Sequence, residues 1–250
     1  LEYSNNLLPV INYIDKTINI RNNHKKNENK NNLQTTQLRL FGGKLKDWKI
    51  YVNNEANLGY KKDDYSRISD SGVTGCITFN DIILHNVFLN IENTNCEDGI
   101  HFVRTKGNLA NVIVKNSLSD AIDADYSDLI FEEIVINNAG NDCLDLSRGQ
   151  YIINKIESIN CGDKGISAGE NSKVSIDNIK VQNSLIGVAS KDSSIVNIEK
   201  GNFINLKVCF AAYRKKKEYG GGKINLNSKI NCNNIKSFVQ KYSNVSYLTK

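Results

Sequence analysis

Acidic residues recur in this chain at a fixed spacing. Asp98, Asp120 and Asp142 stand 22 residues apart, each two positions before an aliphatic residue that opens a short β-like run. Asp123 and Asp145 keep the same interval one position after that aliphatic residue, and His101 holds the equivalent place one interval earlier. One further interval brings Lys164 into the first column and Ser167 into the second. Like charges directly opposite on a sheet destabilise it. If the intervals are stacked strands, such a cluster calls for a cation, a shared proton or a ligand. Oxygen donors of this kind suit calcium, and Asp123 with Asp145 are the expected calcium pair. A plainer reading stands beside it: aspartate caps its own backbone in turns, Lys164 and Arg148 neutralise the acids as ordinary ion pairs, and His101 is a surface histidine paired with Asp123.

The elements that would position these groups follow from the repeat. Ile100, Ile122, Leu144, Ile166, Val188 and Phe210 are spaced by 22 residues throughout, a period that marks a solenoid. Short runs separated by Asn, Ser and Gly, with no sustained helical periodicity, predict an all-β fold, a right-handed parallel β-helix with coils of ~22 residues. Strand alternation sends the aliphatic column inward, together with Phe102, Ala124, Leu146, Ala168, Ser190 and Ala212 two positions on. The columns one and three positions on then face outward: His101, Asp123, Asp145, Ser167, Ala189 and Ala211, and Val103, Asp125, Ser147, Gly169, Lys191 and Tyr213. Asn116, Asn138, Asn160 and Gln182 are expected to stack as an amide ladder at one turn, satisfying backbone that cannot join a sheet. The β-helix is expected over residues 36–250. Residues 1–35, with the polar run from Asn22 to Asn32, read as an arm or cap, partly disordered.

Composition narrows the partners. The net charge of +5 over 250 residues sits partly in two local runs, "NNHKKNENKNN" and "YRKKKEYGGG", which argues against a uniform nucleic-acid stripe. The second run reads either as a basic rim for an anionic partner or as a solvated turn. No apolar run approaches the ~18 residues of a membrane-spanning helix. The chain begins at Leu1 and reads as a processed or truncated product. The six cysteines form no C-x-x-C pair, which weakens zinc or redox readings; they are expected to be buried free thiols, acting as small hydrophobes.

These coils resemble the pectin-lyase-like superfamily of right-handed β-helices, which act mostly on acidic polysaccharides. Within it, polygalacturonase-type glycoside hydrolases place N-x-D, D-D, G-H-G and R-x-K on successive coils. The corresponding stretches here are Leu118-Ser119-Asp120, Asn141-Asp142 and Asp163-Lys164-Gly165, with Leu185-Ile186-Gly187 where R-x-K would fall. Asp120, Asp142 and Gly165 match. The resemblance covers roughly residues 90–200 and implies a polysaccharide partner and a secreted, periplasmic or cell-surface location. In a catalytic version Asp120 and Asp142 do acid/base work and Lys164 steadies developing charge. Asp98, His101, Asp125, Ser147, Arg148 and Lys191 then hold substrate, with Ca²⁺ on Asp123 and Asp145. An inverting hydrolase needs carboxylates about 6.5–9.5 Å apart, a separation closer to Asp98 and Asp142, two coils apart, than to neighbours. A Ca²⁺-dependent lyase is the second catalytic version. The alternative from another class is a non-catalytic glycan-binding, adhesin or assembly module.

Overall fold

Runs of period-two alternation interrupted by small polar residues favour short strands that turn gently and continue in the same sense. The computed structural model describes residues 1–3, 7–22, 37–53, 72–232 and 237–247. Every regular element among them is a strand, and together they form a parallel β-solenoid of about 8 turns. No helix among the described residues is long and apolar enough to cross a membrane.

A typical coil has a short strand followed by a long, bent one. Asp98–Val103 leads into Lys106–Ser117, Asp120–Asp125 into Asp128–Ala139, and Leu144–Ser147 into Gln150–Cys161. The short strands pair in parallel, Ile100 with Ile122, Ile122 with Leu144, Leu144 with Ile166, Ile166 with Val188 and Val188 with Phe210. The aliphatic column is therefore real, and each of its members is fully buried. The column two positions on, Phe102 to Ala212, is buried with it. Phe102 stacks on Phe79 at 5.1 Å and meets Phe131 edge-on at 6.1 Å. Apolar burial of this kind supplies most of the cohesion between coils, since each element touches chiefly the coils before and after it.

The corners are built from residues in the left-handed region. One runs through Asn93, Asn116, Asn138, Asn160, Asn183 and Asn205, all with φ between 54° and 64°. Asparagine tolerates this conformation better than most residues. Each side-chain amide donates to the previous coil: Asn116 Nδ2 to Asn93 at 2.9 Å, Asn138 to Asn116 at 3.0 Å, Asn160 to Asn138 at 2.8 Å, Asn183 to Asn160 at 2.8 Å and Asn205 to Asn183 at 2.7 Å. The expected ladder is thus present, but Gln182 is not a rung. Glu170 and Asn171, both left-handed, accommodate one extra residue at the opposite corner. Lys173 consequently pairs with Gln150, 23 residues back, Gln182 pairs with Ile159, and Asn183 takes the corner. The period is 22 again by Ile186, which pairs with Lys164.

The opposite corner also uses non-glycine left-handed residues: Arg104, Tyr126, Arg148, Glu170 and Asp192. Beneath it, buried hydroxyls satisfy the backbone. Ser127 Oγ accepts from Thr105 N at 3.0 Å, and Ser194 Oγ accepts from Ser172 N at 3.1 Å. On the coil between these, Gly149 stands at the equivalent place and Tyr151 supplies the hydroxyl, donating toward the carbonyls of Ala124 at 2.8 Å and Ser147 at 3.0 Å.

The expectation of free thiols is overturned. Disulfides join Cys76 to Cys96, Cys143 to Cys161 and Cys209 to Cys232, and no free cysteine remains. The sequence separations of 20, 18 and 23 residues are close to one coil, so the path returns each cysteine to its partner, with Cα–Cα distances of 5.3, 5.4 and 6.6 Å. Three disulfides are compatible with an extracellular location. Part of the N-terminal arm is also ordered. Leu7–Asn12 and Thr17–Asn22 form an antiparallel hairpin whose second strand runs parallel to Lys49–Asn53, and Ile18 and Ile20 are buried in the core. Beyond Asn22, the polar run to Asn32 lies outside the described residues.

Candidate functional site

Each short strand turns alternate side chains away from the core, so one face carries a cross-coil row. Thr78, His101, Asp123, Asp145, Ser167, Ala189 and Ala211 follow one another in register. His101, Asp123 and Asp145 reach solvent in part, whereas Ser167, Ala189 and Ala211 are covered. Lys191 contributes to this cover: its side chain lies over Gly169, where a Cβ would meet Lys191 Cε at 3.0 Å, and its Nζ reaches Asp145 Oδ2 at 3.6 Å. The expected outward row is therefore open at its acidic end and closed over beyond Asp145.

Beside this row lies the column Asp98, Asp120, Asp142 and Lys164. Here the acids hold backbone as well as charge. Asp120 Oδ1 accepts from Asp142 N at 2.8 Å and from Asn141 Nδ2 at 2.7 Å. Asp142 Oδ1 in turn accepts from Lys164 N at 3.1 Å. Lys164 Nζ lies 3.2 and 3.3 Å from the two oxygens of Asp142 and bonds Asp163 as well. Burial pushes the Asp142 carboxyl up to about 6, against the pull of Lys164. Burial likewise raises Asp120, although its hydrogen bonds from Asp142 N and Asn141 oppose the shift. Burial alone would discharge Lys164, but Asp142 and Asp163 outweigh it and hold the ammonium well above its ordinary value. Lys164 is a fixed cation here, not a base.

At the other end Asp98, His101, Asp123 and Asp125 converge. His101 Nδ1 is 2.9 Å from Thr74 Oγ1 and 3.8 Å from Asp98 Oδ2. Its Nε2 is 3.2 Å from Asp125 Oδ2 and 3.9 Å from Asp123 Oδ2. The histidine thus bonds Asp125 more closely than Asp123, the partner expected from sequence. Burial drives the Asp98 carboxyl up to about 7, moderated by Thr74 and His101. Asp123 is also raised well above its ordinary value, by burial first and then by Asp98, Asp125, Asp145 and Asp120. A buried carboxyl that holds its proton near neutrality, as Asp98 does, is the kind of group that general acid/base chemistry uses.

The remaining expected residues separate into two places. Ser147 follows Asp125 in register at the edge of the face. Arg148 sits in the left-handed corner, away from the acids. It bonds Glu170 at 3.0 Å and Tyr219, and its guanidinium lies over the Tyr126 ring at 5.3 Å and the Tyr219 ring at 5.8 Å. Lys216 bonds Glu170 too, and Asp192 Oδ1 accepts from Lys215 N and Lys216 N. The "YRKKKEYGGG" run is therefore a loop anchored on Glu170 and Asp192.

Two participants carried no sequence signal strong enough to single them out. Thr74 precedes the first regular interval, and Asp163 matters only because Lys164 folds back onto it. The pair expected to hold calcium, Asp123 and Asp145, is adjacent in register. However, an amine stands against Asp145 and an imidazole near Asp123. Such a donor set does not match the six to eight oxygens calcium prefers. Compared with known proteins, the chain matches no family model, no curated protein and no solved structure.

Proposed function

We propose that this is an extracytoplasmic β-helix protein of the right-handed, pectin-lyase-like kind that binds a polysaccharide across the face of its short strands. One observation supports this reading above the rest: His101, Asp123 and Asp145 form a partly solvated row on successive coils. Asp98, Asp142 and Lys164 flank it on one side, and Asp125, Ser147 and Lys191 on the other. Coils repeat every ~4.8 Å, so an extended polymer lying along the axis meets hydrogen-bonding groups at regular intervals. With few aromatic rings on this face, the grip is polar and ionic.

A second reading, cleavage of the bound polymer, is favoured by the raised carboxyls. Asp142, pushed up to about 6, retains a proton in mildly acidic solution. In this reading it acts with Asp120, while Lys164 steadies negative charge developing on the polymer.

Retention on immobilised acidic and neutral polysaccharides tests the first reading, comparing wild type with Asp123→Asn/Asp145→Asn. Binding of wild type and loss in the double variant is the expected result; equal behaviour on every polymer overturns it. New reducing ends or unsaturated products from wild type alone establish cleavage.

A further inference from the structure

Asp98 is almost wholly buried, and its Oδ2 has no hydrogen-bond partner. That oxygen faces His101 Nδ1 across 3.8 Å. Asp98, His101 and Asp123 each place one potential ligand atom within 4.8 Å of the others. Among the described residues, the only basic side chain within ion-pair distance of Asp98 or Asp123 is His101. The nearby lysines are committed elsewhere, Lys164 to Asp142 and Asp163, and Lys191 to Asp145. A buried carboxylate oxygen left without a partner is costly, and a shared cation would relieve it.

We infer that Asp98, His101 and Asp123 form a site for a divalent transition-metal ion, Zn²⁺ or Mn²⁺ in preference to Ca²⁺. The donor set is one imidazole nitrogen and two carboxylate oxygens, which suits ions that accept mixed nitrogen and oxygen ligands. Calcium, which seeks an all-oxygen shell, is a poorer match.

The surroundings suit a ligating histidine. Metal-bound imidazoles almost always have a partner on their second ring nitrogen. Here either choice is served, because Thr74 Oγ1 stands at Nδ1 and Asp125 Oδ2 at Nε2. With Nδ1 on the ion Asp125 is the positioning residue, and with Nε2 on the ion Thr74 is. Asp120 is not part of the convergent group, and its Oδ1 already accepts from Asp142 N and Asn141. The side chains of His101 and Asp123 are 13% and 24% exposed, so the site has a route to solvent from the face. Three protein ligands leave coordination positions for water or for an oxygen of a bound molecule. The site does not depend on the polysaccharide reading, although an ion here would bridge to an anionic polymer on the same face.

The test is made without polymer. Chelator-treated, metal-free protein is titrated with Zn²⁺, Mn²⁺ and Ca²⁺ by calorimetry, and Co²⁺ is added to follow the visible absorption of a nitrogen-containing site. One Zn²⁺ per chain is expected, with Ca²⁺ at least tenfold weaker. Asp98→Asn keeps the shape of the side chain and is expected to abolish uptake. His101→Gln should remove both uptake and the Co²⁺ band. Of Thr74→Val and Asp125→Asn, the one that removes the partner of the ring nitrogen left off the ion should weaken Zn²⁺ by about 10–100-fold. His85→Gln serves as a control and should leave uptake unchanged. Failure of wild type to take up both Zn²⁺ and Mn²⁺ overturns the proposal, as does uptake unaltered in folded Asp98→Asn and His101→Gln. Ca²⁺ bound more tightly than Zn²⁺ overturns it equally. Loss of polymer retention with intact Zn²⁺ uptake would count against the glycan reading alone.

Discussion

The Oδ1 atom of Asp142 lies 3.1 Å from the backbone nitrogen of Lys164 and 3.2 Å from its side-chain Nζ. One carboxylate thus holds the next coil twice, by main chain and by side chain. Asp120 holds Asp142 N by the same device one coil earlier, at 2.8 Å. The repeated acid is therefore structural in part, and that sets how the site responds to pH and substitution.

Stability should fall as pH rises through the acid range on account of Asp142. Its carboxyl goes from an ordinary 3.8 to about 6 in the folded chain, so the folded state binds the proton more tightly. The associated stability is fully present below about pH 4 and is lost as pH rises through about 6, amounting to about 3 kcal/mol at most. Thermal melts between pH 4 and 7 should show a decline that Asp142→Asn reduces. An identical slope in the variant would assign the trend to other groups.

Tyr151→Phe should destabilise the chain by about 1–3 kcal/mol, because the buried carbonyls of Ala124 and Ser147 lose their hydroxyl donor. Restoring a hydroxyl with Gly149→Ser should not rescue it. A Cβ at Gly149 would lie 2.0 Å from Ser127 O. Urea midpoints of the single and double variants check both statements.

Cys143→Ser/Cys161→Ser should lose about 3 kcal/mol, the order expected for releasing an 18-residue loop. Reductant should lower the wild-type midpoint more than that of the double variant. If the two respond alike to reductant, the bridge contributes nothing.

Asn183→Ala should cost about 1–2 kcal/mol, from the left-handed backbone and the broken amide ladder. Gln182→Ala, one residue away, should be close to neutral. The reverse order of melting temperatures would contradict the assigned corner.

Much of this architecture was legible in sequence because a 22-residue period shows directly which residues stack. Ile100 to Phe210 and the acids on both columns fall where spacing puts them. Asn183 was missed because one extra residue at Glu170 and Asn171 shifts half a coil, and a single fixed period cannot show a compensated insertion. The disulfides were missed for a related reason: their pairing follows from the return path of the coil, not from local spacing. Alternation put Ser167, Ala189 and Ala211 in the outward row, yet the structure buries all three, because alternation carries no information about Lys191 folding over part of that face. The convergence of Asp98, His101 and Asp125 depends on side-chain reach across two strands, which spacing alone does not convey.

The compensated insertion has a wider consequence. The extra residue at Glu170 and Asn171 alters the pairing offset on the long strands, yet Lys164 still meets Ile186 and Ile166 still meets Val188. Length variation at a corner is absorbed before the chain reaches the next short strand. Surface loops could thus be lengthened or trimmed over many generations of drift while the graduations of the face, one coil apart, stay fixed against whatever lies along them.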